Sequence, residues 1–74
     1  MNNEQAQFLK SFGQRLAATR RKRGMSQEEL AERVEVHRTY IGYIEQGKRN
    51  PSIGNIRKIA KVLGLRLRDL FDPY

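Results

Sequence analysis

Two short apolar patterns, separated by only a few residues, constrain this chain most. In SQEELAERV, residues 26–34, Ser26 can accept a hydrogen bond from the amide of Glu29, whose carboxylate reaches back to Ser26. That capping box starts a helix over about 27–34. Leu30, Ala31 and Val34 then fall on one face of it. A further helix over about 38–46 carries Ile41 and Ile44, and Gly47 closes it with a left-handed residue. Two helices joined by so tight a turn cross one another as a helix-turn-helix. Ala31 lies at the crossing, where only a small side chain fits, and Leu30, Val34, Val36, Ile41 and Ile44 hold it.

The rest of the chain follows the same period. Phe8, Phe12 and Leu16 recur every four residues, with Leu9 beside them, and define the buried face of a first helix. Gly24 ends it after a cationic last turn, which complements the helix dipole. After NPS, the residues Ile53, Ile56, Ile59, Ala60 and Leu63 form the expected buried stripe of a fourth helix, ended by Gly64. A last short helix is expected over 67–71, stopped before Pro73. The strand signal is poor, so the fold class is all-α, a compact five-helix bundle forming one domain over residues 1–74. With no cysteine and a hydrophobic fraction of 38%, a small core of packed helices, or oligomerisation, must hold it.

Fifteen Lys and Arg against eight Asp and Glu leave a net charge of +7, which suits a polyanionic partner, most simply nucleic acid. The plainer alternative is a soluble basic surface. No apolar run approaches the roughly 18 residues of a membrane span, and the polar start MNNEQAQ is no signal peptide. A cytoplasmic protein without a membrane partner is expected. A single histidine, His37, and no cysteine argue against a zinc site, and no glycine-rich phosphate loop follows a strand. Neither an enzyme, nor a cofactor or metal, nor a small-molecule ligand is expected.

At 100° per residue, Ile41 and Ile44 set the core side of the third helix. Thr39, Gly42, Tyr43 and Gln46 project roughly opposite, with Arg38 and Tyr40 on the flanks. Arg38 is in the first turn, the end of a helix-turn-helix reading helix that approaches base edges. An arginine there can donate two hydrogen bonds to guanine, worth about 1–3 kcal/mol of discrimination. Thr39 offers a hydroxyl and a methyl, and Tyr43 can stack on sugar or donate to phosphate. Gly42 costs about 1 kcal/mol of helix propensity, for which close approach to DNA and close packing on another helix are both open reasons. His37 caps this helix or contacts DNA. Phosphate contacts are expected around it: Gln27 at the start of helix two, where free amides favour an anion, and Lys48, Arg49, Asn50 and Ser52 before helix four.

From about 16 to 71, in MSQEELAERV, TYIGYIEQGKRNPSIGNIRKIAKVLGL and LRDLF, the chain resembles the phage-repressor and Cro type of helix-turn-helix regulator, with its lambda-repressor-like fold. Within that family HRTYIGYIEQGKRNPS is similar to the controller proteins of restriction–modification systems. The resemblance implies a homodimer on a pseudo-palindromic double-stranded operator, regulating its own gene and that of the endonuclease. It implies base reading by Arg38 and Thr39 and contact by Tyr40 and Arg49 with deformed DNA. It also implies a structural ion pair between Arg20 and Glu45, which the helix wheel supports.

Two positions depart from the family pattern: Glu35 stands where the inter-helix turn usually has glycine, and Arg66 where the last helix often has a serine cap. Leu65, Leu67, Leu70 and Phe71 are too apolar for a free tail and are expected to divide between core and dimer interface. The acidic residues Glu28, Glu29 and Glu32 offer a contact for RNA polymerase, with plain solvated surface as the simpler reading. Alternatives are an antitoxin or other protein-binding module on the same fold, against which little chain follows Phe71, and a phage-type repressor. RNA is disfavoured for want of interleaved aromatics.

Overall fold

Local devices bound the second, third and fourth helices at both ends, and together with the turns at Gly24 and Arg66 they set where the chain turns. The computed structural model describes residues 3–71. Five helices follow in order: α1 (Asn3–Lys22), α2 (Gln27–Val34), α3 (Arg38–Glu45), α4 (Ile53–Leu63) and α5 (Leu67–Phe71). No strand occurs among the described residues. The capping box forms as expected, with Glu29 N donating to Ser26 Oγ and Ser26 N donating to Glu29 Oε1, both at 3.0 Å. The hydrogen bonds from Ser26, backbone first, hold the Glu29 carboxyl below its usual range.

Helices α1 to α4 all close through a left-handed residue: Gly24 at φ 72, Glu35 at 66, Gly47 at 76 and Gly64 at 72. In each case the following amide folds back into the last turn: Met25 onto Arg20 O, Val36 onto Ala31 O, Lys48 onto Tyr43 O and Leu65 onto Ala60 O. Glu35 therefore adopts a backbone that costs a side-chain-bearing residue about 1 kcal/mol. The α3 helix stops one residue before the expected Gln46, which becomes its cap. At α5 the missing serine cap is offset from the other side: Arg66 N donates to Asp69 Oδ2 at 3.0 Å. Two arginines close helix ends from a distance, Arg15 donating to Leu70 O and Arg23 Nε to Leu63 O.

The core runs from Phe12 and Leu16 of α1 through Leu30 and Val34 of α2 and Ile41 and Ile44 of α3 to Ile59 and Leu63 of α4. Ala31 is buried at the α2–α3 crossing. The α1 and α3 backbones touch: a Cβ on Gly13 would lie 2.3 Å from Ile44 O. Gly47 is held to glycine twice over, by its positive φ and by Lys10 Cα, 2.9 Å from where a Cβ would sit.

Three expectations need correction. Phe8 is 49% exposed rather than core, because Leu9 takes the inward position and Phe8 stacks on Phe12 and Phe71 at 6.3 and 6.1 Å. Ile53 is 65% exposed, since α4's first turn precedes the bundle and its buried stripe begins at Ile56. Leu70 is only 1% exposed and belongs to the core of its own chain, not to an interface. Leu65 is half-buried against that core, while Leu67 and Phe71 stay exposed.

Candidate nucleic-acid interface

The candidate interface is built around α3, and what fixes α3 is a buried ion pair at its C-terminal end. Arg20 of α1 donates through Nε to Glu45 Oε2 at 2.7 Å and through Nη2 to Glu45 Oε1 at 3.0 Å. Its remaining nitrogen, Nη1, donates to Met25 O at 2.8 Å. Gln27 Nε2 adds a third donor to the carboxylate, at 2.9 Å from Glu45 Oε1. The two charged side chains are 8% and 5% exposed, and the Glu45 hydrogen bond pushes the Arg20 guanidinium pKa up, over the opposing effect of burial. The bidentate geometry and the extra hydrogen bonds are what let such a pair survive burial. Gln27 is expected at phosphate; the structure turns its side-chain Nε2 inward to this cluster.

The other end of α3 is open. His37 is its cap, with Nδ1 accepting from Thr39 N at 3.4 Å. Arg38 and Thr39 are exposed, as are Gln46 and Tyr43. Arg38 Nε lies 3.4 Å from Glu28 Oε1, with side chains 60% and 72% exposed, so water competes freely for both. A Cβ on Gly42 would meet nothing nearer than Gln27 Oε1 at 3.8 Å. Packing on another helix therefore does not require glycine there.

The loop after α3 carries Lys48, Arg49 and Asn50, all exposed. Arg49 places its guanidinium 5.2 Å from the centre of the Tyr40 ring. The half-buried Tyr40 hydroxyl accepts a hydrogen bond from Asn55 Nδ2 of α4 at 3.0 Å. Ser52 caps α4 by accepting from Asn55 N at 3.1 Å, which leaves its own hydroxyl proton free to donate. Asn55, which holds Tyr40, is not picked out from sequence, and Glu28 is picked out there as a candidate polymerase contact rather than as a neighbour of Arg38. No local pattern marks either contact, because each acts across a turn between helices.

The helix-turn-helix family model matches residues 16–70. The chain belongs to the helix-turn-helix family. Control protein C.BamHI of Bacillus amyloliquefaciens is 52% identical over 62 residues, covering 82% of this chain and 76% of that protein. The crystal structure of the restriction-modification controller protein C.AhdI from Aeromonas hydrophila superposes with a TM-score of 0.83 at 46% identity, covering 85% of this chain and 96% of the other. The structure of the biofilm master regulator SinR in complex with DNA gives a TM-score of 0.78 at 37% identity, covering 82% and 98%. This helix-turn-helix protein is thus a DNA-binding transcriptional regulator of the controller type, on a lambda-repressor-like fold. Its relatives are regulators. Among its described residues no helix is long and apolar enough to cross a membrane.

Proposed function

We propose that this regulator works in the cytoplasm as a homodimer on a pseudo-palindromic operator, controlling restriction–modification genes including its own, and that it catalyses no reaction. The observation that carries this reading is the contrast along α3: one end is anchored by Arg20 and Glu45, while the other presents Arg38 and Thr39 to solvent. In this reading Arg38 and Thr39 meet base edges, with Tyr43 and the open side of Gly42 beside them. Lys48, Arg49, Asn50 and Ser52 hold phosphates, joined by Tyr40, Gln46, His37 and the first amides of α2 at Gln27. One reading helix spans only a few base pairs, so a symmetric pair supplies the missing specificity.

Leu67 and Phe71, 36% and 37% exposed, are the side chains proposed to face the second copy, with Leu65 behind them. A polymerase contact on Glu28, Glu29 and Glu32 has less to support it, because Glu28 meets Arg38 and Glu29 closes the α2 cap. The test is selection of bound duplexes from a random pool at about 150 mM salt, where non-specific binding is already weakened. The expected outcome is a pseudo-palindrome with half-site centres about one helical turn apart. A folded protein that enriches no sequence would overturn the reading and point to a protein or RNA partner.

A further inference from the structure

Tyr40 is held on two sides, and the two contacts do different things to it. Arg49 lies over its ring at 5.2 Å. Asn55 Nδ2 points a proton at its oxygen from 3.0 Å. Asn55 is itself fixed in the first turn of α4, its amide N–H bound to Ser52 Oγ at 3.1 Å. A phenol oxygen carries one proton, and the side of it facing Asn55 is occupied by a donor. The Tyr40 proton must therefore point away from Asn55.

We propose that Asn55 is a positioning residue for DNA binding: by filling the acceptor side of the Tyr40 hydroxyl, it commits that group to donate to a phosphate oxygen of the bound duplex. Tyr40 sits in the first turn of α3 with the Arg49 guanidinium of the basic loop 5.2 Å from its ring, so it joins the two surfaces assigned above to the duplex, and the inference rests on that assignment. The same bridge ties α4 to α3, so the ring on which Arg49 rests is located by both helices. Asn55 need not touch DNA to do this.

The test compares four proteins on the duplex enriched from the random pool: unaltered, Tyr40→Phe, Asn55→Asp and the double variant. Aspartate is the size of asparagine but can only accept, so it takes the Tyr40 proton for itself. A carboxylate in the first turn of α4 also suits the helix dipole, so the variant folds. Tyr40→Phe is expected to weaken binding about tenfold, the typical effect of one hydrogen bond to a charged group.

Asn55→Asp is expected to cost about tenfold more in the Tyr40 protein than in the Tyr40→Phe protein, where only its added negative charge is felt. A merely structural bridge predicts the opposite, because a phenol–carboxylate hydrogen bond is charge-assisted and would be strengthened. Equal losses from Asn55→Asp in the two backgrounds would overturn the inference while leaving DNA binding intact. An unaltered protein that binds no duplex would remove the DNA reading itself, and the inference with it.

Discussion

Arg20 and Arg38 each meet a glutamate, one at either end of α3, and the two pairs have opposite consequences. Arg20 and Glu45 are buried, bidentate and 2.7 Å apart, with Met25 O and Gln27 completing their hydrogen bonds. Arg38 and Glu28 are exposed, meet through a single nitrogen and stand 3.4 Å apart. Desolvation makes the first pair dependent on both partners. Water makes the second pair nearly neutral in energy. One chemistry thus anchors the helix at its C-terminal end and leaves a cation available at its N-terminal end. A reading helix needs both properties, since a base-contacting arginine must be free to exchange partners while its backbone stays in register.

The largest effect should come from breaking the anchored end. Glu45→Ala strands a buried guanidinium, and urea unfolding should show a loss of about 3–5 kcal/mol, a large share of the roughly 5–15 kcal/mol that holds most domains. Arg38→Ala should change unfolding by no more than about 1 kcal/mol, yet lower discrimination between the selected duplex and random DNA by about 1–3 kcal/mol in competitive binding. A stability loss for Arg38→Ala comparable to that of Glu45→Ala would erase the difference between the two ends.

Gly42→Ala sharpens the same contrast. The space beside Gly42 is open, so alanine should raise the stability of α3 by up to about 1 kcal/mol while weakening duplex binding. Unchanged affinity in a titration would remove close approach to DNA as the reason for that glycine. The smallest expected effect is one of pH. Glu29 has a lowered pKa in the folded chain, so its contribution is complete above the unfolded carboxylate value and is lost as pH falls through the lower folded value. Amide NMR shifts of residues 26–29 should show the α2 cap loosening only once the pH has fallen below the ordinary carboxylate range, with Arg20 still charged.

What could be read directly from the sequence was mainly local. Ser26 and Glu29 sit three residues apart, and their cap follows from that spacing alone. Glu35 stands at a turn position where the family pattern has glycine, and it adopts the left-handed backbone that glycine favours. The Arg20–Glu45 pair was legible because each residue lies on the core side of its helix and because the family resemblance implies it. Ile53 and Phe8 depart from expectation for different reasons: Ile53 precedes the part of α4 that packs on the bundle, whereas Phe8 yields the inward position to Leu9 and stacks on Phe12 and Phe71 at the surface. Gly13 and the Tyr40–Asn55 bond could not be read at all, since each depends on how closely two helices approach, and periodicity carries no distance. Lys48 and Arg49 were legible as a basic loop, but the inward turn of the Gln27 side chain required the position of Glu45.

The most direct test of the free and fixed ends of α3 is a parallel random-pool selection with the unaltered protein and with Arg38→Ala. The expected result is a pseudo-palindrome for the unaltered chain, and for the variant the same half-site spacing with sequence information lost at one symmetric pair of positions. Recovery of an identical motif by Arg38→Ala would contradict the assignment of base reading to the exposed end of α3.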